Sequence, residues 1–441
     1  MWIGLDDTDS KDGGCTTFIC FEFVYRLYQK GYCLRSYPRL IRLNPQVPWK
    51  TRGNGAVAFH IGKRKGGKIL FGRKNDYSLY LDPDASSKEI DEKEIISLLK
   101  EVLNKYAEVE SENTNPAFVF VSQTFSDNFY KKAVHELVTI NEAIEIIKHE
   151  KGSYFLIKNG RGVIGATAAI SWDQKRDHTF ELISYRDEAR WKTPRYVAEE
   201  SVKKMDDQVS STFDNYDYEN RYNSIVPHSP CPILFGIRGD DVSMLPLCQK
   251  MIQSEQSIGW MIYISNQGTD DHVKMKNISM IEPFQSVIVQ GNVSSIPSRT
   301  KGGHIFFKIK DNNGDYIDCA AYEPTKEFRK VIERLHIGDY LEVYGGIRKE
   351  PLTINIEKIR IIDLVEVFEK SENPLCPVCN KHMKSRGNNQ GYKCKACKTL
   401  SNEPVIKRKD RELSIGFYEV PVCARRHLSK PLKRMKTEIR L

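Results

Sequence analysis

The chain has 441 residues, a net charge of +9, 40% hydrophobic residues and 28% charged residues. That is about three domains at roughly 150 residues each, and the balance excludes a fibrous or wholly disordered chain. No apolar run approaches the roughly 18 residues of a membrane helix. The start MWIGLDDTDS carries no basic leader, so a soluble cytoplasmic protein with no membrane partner is expected.

In chain order, Trp2–Leu5 is a short apolar strand. Ile19, Phe23 and Leu27 keep helical spacing up to Gly31, which predicts a helix over 16–30. Ala56–Ile61 and Ala117–Val121 read as strands. Ser86-x-x-Glu89 reads as a capping box ahead of the stripe Ile95, Leu99, Val102 and Tyr106. A second amphipathic helix is expected at 131–149, then strands at Tyr154–Ile157 and Val163–Ile170. From 171 to 275 the order reads βαββαβ, with a helix opened by Pro194 and strands at Phe180–Tyr185, Ile233–Ile237 and Trp260–Ser265. That is the ferredoxin-like split pattern. Three strands, a helix at Thr325–Leu335 and two further strands then give the order of an OB barrel, with Asp311-Asn312-Asn313-Gly314 as a hairpin turn. Its second strand holds Phe306, Phe307, Lys308 and Lys310. The two Phe either face nucleic acid or divide between core and surface.

The basic charge is C-terminal: residues 381–441 hold 17 Lys/Arg against 5 Asp/Glu. Such a segment suits phosphates, and a solvated tail has the same composition. Eleven cysteines in a chain without a leader read as reduced thiols and metal ligands. Cys376-x2-Cys379-x14-Cys394-x2-Cys397 has the spacing of a four-thiolate Zn²⁺ site, closed and therefore structural. Around Gly387-Asn388-Asn389-Gln390-Gly391 a ribbon hairpin is expected.

Asp6-Asp7-Thr8-Asp9-Ser10 follows the first strand and precedes Gly13-Gly14 and a helix opening at Cys15-Thr16-Thr17. Three adjacent carboxylates suit Mg²⁺, and the helix N-terminus suits phosphate. A turn with a Thr cap has the same residues, but three close acids repel unless a cation offsets them. Lys50-Thr51-Arg52-Gly53-Asn54-Gly55 holds phosphate or RNA backbone, or is a basic turn. Gly160-Arg161-Gly162 and Arg238-Gly239 carry the same signal more weakly. Asn266-Gln267-Gly268-Thr269-Asp270-Asp271-His272 lines a site or is a solvated linker.

Taken together these motifs resemble the archaeal tRNA(Ile) 2-agmatinylcytidine synthetases. The likeness rests on Gly4-Leu5-Asp6-Asp7-Thr8-Asp9-Ser10, Cys15-Thr16-Thr17, Pro38–Pro45, Lys50–Ala56, Thr114-Asn115-Pro116, Phe235–Gly239, Asn266–Asp270, Gly302-Gly303-His304, Ala321–Thr325, the four cysteines and Ala424-Arg425-Arg426-His427-Leu428. The basic turn Lys63–Lys68 lies outside the family pattern. The resemblance implies a multidomain α+β chain: a kinase-like ATP-binding domain (1–168), a ferredoxin-like domain (169–276), an OB fold (277–368) and a zinc ribbon with basic tail (369–441). It implies an ATP-dependent ligase that joins agmatine to C2 of the wobble cytidine of tRNA(Ile), so that AUA is read. Activation would be by phosphorylation of the C2 oxygen. It places ATP and Mg²⁺ on Asp6, Asp7, Thr8, Asp9 and Arg52. Lys50 and Arg52 would neutralise developing charge, and Thr16 would be self-phosphorylated. Phe306, Lys308, Arg425, Arg426 and Lys430 are the expected RNA contacts. No obligate protein partner is evident.

Overall fold

The computed structural model describes residues 1–87, 89–388 and 390–435. Asn389 of the expected ribbon hairpin and residues 436–441 of the basic tail lie outside them. The first unit runs β1 (Trp2–Asp6), α1 (Thr16–Gln29), β2 (Tyr32–Leu34), β3 (Arg39–Arg42), β4 (Gly55–Lys63), β5 (Ile69–Lys74), β6 (Tyr77–Leu81), α2 (Glu92–Tyr106), β7 (Ala117–Val121), α3 (Asn128–His135), α4 (Ile140–His149), β8 (Ser153–Leu156) and α5 (Gly162–Ser171). The second runs β9 (Thr179–Arg186), α6 (Glu199–Gln208), β10 (Thr212–Phe213), β11 (Tyr216–Asp217), β12 (Tyr222–Asn223), β13 (Ile233–Gly239), α7 (Leu245–Met251) and β14 (Ser257–Ser265).

These two units share one sheet, in the order β10-β13-β9-β14-β3-β4-β1-β7-β8. Its first four strands keep the antiparallel order of a split βαβ fold. The seam is parallel, with Ile264 beside Arg39 and Ser265 beside Leu40. Apolar residues on both faces of the strands demand cover on both sides. α1 and α2 bury Phe18, Phe23, Leu99 and Val102 on one face with Phe59. α3, α4 and α5 bury Tyr130, Ile147, Val163 and Trp172 on the other.

Several expected elements shift. Val163–Ile170 is not a strand but lies within α5, which crosses the expected border at 168; nine of its ten residues are buried, so no polar face reveals its period. The helix expected over 131–149 is two, because Thr139 and Glu142 form a capping box that starts α4 afresh. Ser86 bridges Lys63 instead of capping α2; Asp91 does that, accepting from the amides of Lys93 and Glu94. Pro194 does not open α6, since Val197 is bridged to Ser254 and the helix starts at Glu199.

The third unit runs β15 (Lys274–Met275), β16 (Ser286–Val293), β17 (Ser298–Arg299), β18 (Ile305–Lys310), β19 (Tyr316–Ala321), α8 (Phe328–Glu333), β20 (Tyr340–Arg348) and β21 (Thr353–Asp363). Pairing of Asn292 with Lys310 and Val293 with Ile309 closes the barrel. Phe307 enters its core and Phe306 stays half-buried on the surface, as alternation along a strand requires. A two-stranded stalk of β22 (Val367–Glu372) and β26 (Val405–Lys409) carries the small sheet β23 (Lys384–Ser385), β24 (Tyr392–Lys393) and β25 (Leu400–Ser401). The tail returns as β27 (Gly416–Glu419) on the edge of β21. It then crosses back to the first two units, where Leu428 enters their core.

Candidate active site and nucleic-acid interface

β1 ends at Asp6, and the chain turns at once through Asp7, whose φ of 59° lies in the left-handed region that Asp tolerates. Below it, α5 approaches without intervening side chains. A Cβ on Gly165 would lie 1.9 Å from Asp6 Oδ2, and one on Gly162 would lie 2.5 Å from the Asp6 carbonyl oxygen. Arg161, at the start of α5, donates to Asp7 Oδ2 at 3.1 Å and to the Asn113 carbonyl at 2.9 Å. The Thr114 hydroxyl donates to the Asp9 carbonyl oxygen at 2.7 Å.

Arg52, from the loop between β3 and β4, donates through Nε to Asp9 Oδ2 at 2.7 Å. It also donates to the carbonyls of Gly13 and Gly14 and to Ser229 Oγ of the second unit. Thr16 is buried at the first position of α1, its hydroxyl 3.0 Å from that of Thr8. Asp6, Asp7, Asp9 and Thr16 therefore meet on one wall of a cavity of about 420 Å³. Thr8 lies fully buried behind that wall and does not line it. Lys50 lines the cavity, with its ammonium on the Pro45 carbonyl, away from the acids' ion pairs.

Burial, then the charges of Asp7 and Asp9, push the Asp6 carboxyl well above the usual carboxylate range. Burial raises Asp7 too, against the pull of Arg161. Ionised carboxylates held so close are costly without a cation, and their oxygens suit a hard one.

The opposite wall comes from the second unit and the tail. Glu181 on β9 accepts from Gln267 and lies 3.4 Å from Arg238 Nε. Arg42 Nε donates to Gln267 Oε1 at 3.3 Å. His427 Nδ1 accepts from Arg238 Nη2 at 2.9 Å. Sequence reasoning left Arg161 as a weak basic turn and did not single out Glu181, and no local motif marks the latter. The polar string after β14 is not a solvated linker: Asn266, Gln267 and His272 are fully buried. His272 pairs with Glu357, and Asp270 with Lys358 of the barrel.

The expected RNA contacts separate. Lys308 is exposed, 3.6 Å from Asp318, and Phe306 stands edge-on to Tyr322. Arg425 is 6% exposed, clamped between Asp214 and Glu419, which revises its reading as a surface cation. Arg426 Nε lies 2.9 Å from Glu357 with part of its side chain open. Lys430 lies 3.3 Å from Asp177. Much of the tail's charge is thus matched by acids of the chain itself.

In the ribbon the four cysteine sulfurs lie within 4.8 Å of one another. Three of the S···S separations are 3.3, 3.4 and 3.7 Å. A tetrahedral Zn–S bond of about 2.3 Å sets sulfurs about 3.8 Å apart, so the thiolates fit zinc. Asn380 and Lys398, each directly after a CxxC, both have positive φ, giving two matching knuckles.

Family models of the TiaS TCKD domain and the TiaS FLD domain match residues 2–159 and 160–272. An OB-fold nucleic acid binding domain matches 287–362, and the TiaS C-terminal zinc ribbon domain 373–413. The chain is 43% identical over 443 residues to the tRNA(Ile) 2-agmatinylcytidine synthetase TiaS of Methanocaldococcus jannaschii, covering 98% of each. It belongs to the TiaS family. The TiaS of Archaeoglobus fulgidus is 40% identical over 448 residues, with 99% of this chain and 98% of that one covered. A solved complex of TiaS with its isoleucine tRNA and ATP matches with TM-score 0.85 and 38% identity, over 100% of this chain and 98% of that one. A complex of TiaS with the same tRNA, AMPCPP and agmatine matches with TM-score 0.82 and 37% identity over the same shares. As in the TiaS family, the chain is a multidomain α+β protein with an OB fold and a four-cysteine ribbon. No helix among the described residues is long and apolar enough to cross a membrane.

Proposed function

We propose that this chain uses ATP to join agmatine to C2 of the wobble cytidine of tRNA(Ile), so that the CAU anticodon reads AUA. The observation that carries the reading is the convergence of three carboxylates and Thr16 on a cavity whose other walls come from the second unit and the tail. The relatives solved with tRNA, ATP and agmatine support it. The reaction belongs to the cytoplasm, where tRNA is found.

The C2 oxygen of cytosine is a poor leaving group. Phosphorylating it makes a good one; the agmatine nitrogen then bonds to C2 as the C2–O bond breaks, the electron pair leaves with phosphate, and the amine's proton is lost. Phosphoryl transfer needs positioning and charge neutralisation more than covalent help. Asp6, Asp7 and Asp9 would hold Mg²⁺, which when bound neutralises phosphate charge. Arg52 fixes the Asp9 carboxylate and ties the acid loop to Ser229 across the cavity. Arg161 holds Asp7 in the same way. Thr16 lies beside them at a helix N-terminus suited to phosphate, consistent with the self-phosphorylation implied for it. A four-thiolate zinc ribbon leaves no open ligand position, so its part is structural.

Asp7→Asn tests the reading. The change is nearly isosteric and removes one charge from the acid cluster, so incorporation of labelled agmatine into tRNA(Ile) should fall by orders of magnitude. tRNA affinity and Tm should stay near wild type. Wild-type incorporation by a well-folded Asp7→Asn protein would remove the acid motif from the catalytic centre.

A further inference from the structure

Beside the main cavity lies a second, of about 290 Å³, with six basic residues and no acid among its ten lining residues. Three of the six are already matched: Arg52 by Asp9, Arg425 by Asp214 and Glu419, and Arg426 by Glu357. Arg42, Lys50 and His427 have no ion-pair partner among the described residues. Arg42 touches only the Gln267 side chain and backbone or amide groups around Gly53 and Asn266. The Lys50 ammonium rests on a carbonyl. The His427 ring accepts at Nδ1 from Arg238, which leaves its Nε2–H as the donor on its other edge. That edge faces Gly53, where a Cβ would come within 3.1 Å of Nε2 and within 2.6 Å of Arg42 Nη1.

The groups also press on one another. Burial, then Arg426, lowers Lys50 to about 8. Arg42, burial, Arg238 and Lys50 hold His427 neutral. A cluster of like charges in a recess, with a spare ring N–H, favours an anion for the same reason that clustered acids favour a cation. The recess shares Arg42, Lys50, Arg52, Gly53 and His427 with the catalytic cavity. An RNA strand that turns a base into the larger space carries its sugar–phosphate past the smaller one.

We propose that Lys50, Arg42 and His427 form a cradle for one of the two phosphodiesters flanking the modified nucleotide. The cradle fixes the depth to which that nucleotide enters the cavity. It rests on the functional reading above and adds a positioning site to it. Lys50 then serves the RNA, and the acid wall serves the ATP. Gly53 keeps the floor open.

The test replaces one charge at a time on each partner. tRNA(Ile) carrying a single neutral methylphosphonate 5′ or 3′ of the wobble nucleotide is titrated against wild type and Lys50→Met. At one of the two positions wild-type affinity should fall about tenfold, and the slope of log K against log salt should flatten by about 0.9. In Lys50→Met, which keeps the side chain's length, the same replacement should change affinity less than twofold, because the contact is already lost. Binding of a non-hydrolysable ATP analogue should be the same in both proteins. Three results would overturn the cradle: a wild type indifferent to both methylphosphonates; losses that multiply independently in the doubly changed pair; or a Lys50→Met protein that loses the ATP analogue and keeps tRNA, which would make the anion a nucleotide phosphate. Failure of wild type to add agmatine to tRNA(Ile) would instead defeat the functional reading, and the binding arms would still report on the cradle.

Discussion

Arg425 separates two accounts of the basic tail. Its side chain is 6% exposed between Asp214, 8% exposed, and Glu419, 18% exposed, with Nη2 2.6 Å from Glu419 Oε1. Arg425→Ala leaves two carboxylates without their cation in a buried place. Breaking such a pair from one side costs about 3–5 kcal/mol. At about 2–4 °C per kcal/mol this is roughly 6–20 °C in Tm, read by calorimetry on the tRNA-free protein. The deficit should depend on pH. Burial already raises the Glu419 carboxyl above the usual range, against the pull of Arg425. Without Arg425 it rises further. A carboxyl that binds its proton more tightly folded than unfolded makes stability rise as pH falls, so the deficit should shrink between pH 7 and pH 5. Loss of a surface RNA contact behaves otherwise: Tm stays, tRNA affinity falls, and the salt slope flattens by about 0.9. An Arg425→Ala protein that melts like wild type and binds tRNA with a flatter slope would refute the brace.

Gly165→Ala places a methyl group against Asp6 Oδ2; since Ala is favoured over Gly in a helix by about 1 kcal/mol, Tm should hold while agmatine incorporation falls at least tenfold. Gly162→Ala meets backbone at the Asp6 carbonyl and Ala117 N, and should lower Tm as well. Cys394→Ser should release zinc, measured by elemental analysis, and weaken tRNA binding with ATP affinity little changed. A solved TiaS lacking its ZRD still holds agmatine, so agmatine affinity should survive too. Retention of one zinc per chain by Cys394→Ser would remove that thiolate from the metal shell.

What could be read in the sequence is what chemistry packs into a few residues. The two CxxC turns and the Asp6–Asp9 run declare themselves because one turn or strand end must present all their ligands. α1 and the barrel strands show because each has a buried and an exposed side. α5 does not, since it is buried all round, and a continuous apolar run fits a strand as well as a helix. Glu181 is invisible for another reason: nothing near it in the chain shares its task. It reaches the cavity because β9 runs into the same sheet as β1, through β14 and β3. The tail misleads by composition. A cation that meets phosphate and one that meets a distant carboxylate look alike, and the acids here are remote: Asp214 for Arg425, and Asp177 and Asp240 for Arg434.

That remoteness bears on how the cavity is built. Its acid wall belongs to the first unit, Glu181 and Arg238 to the second, and Arg425 and His427 to the tail. None of the three encloses it alone. The shared sheet fixes the first two walls relative to each other, since a one-residue slip at the seam between β3 and β14 would turn every side chain to the wrong face. The tail has no such register with them, because its only strand pairing is with β21 of the barrel. Beyond that strand the tail is placed by Leu428 in the common core and by ion pairs at Arg425, Arg426 and Arg434. Apolar contact is non-directional, whereas a two-carboxylate clamp on a planar guanidinium accepts few geometries. The charge that composition alone would give to RNA is therefore largely consumed in setting the tail's position. What remains unmatched, at Arg42, Lys50 and His427, lies where the walls meet.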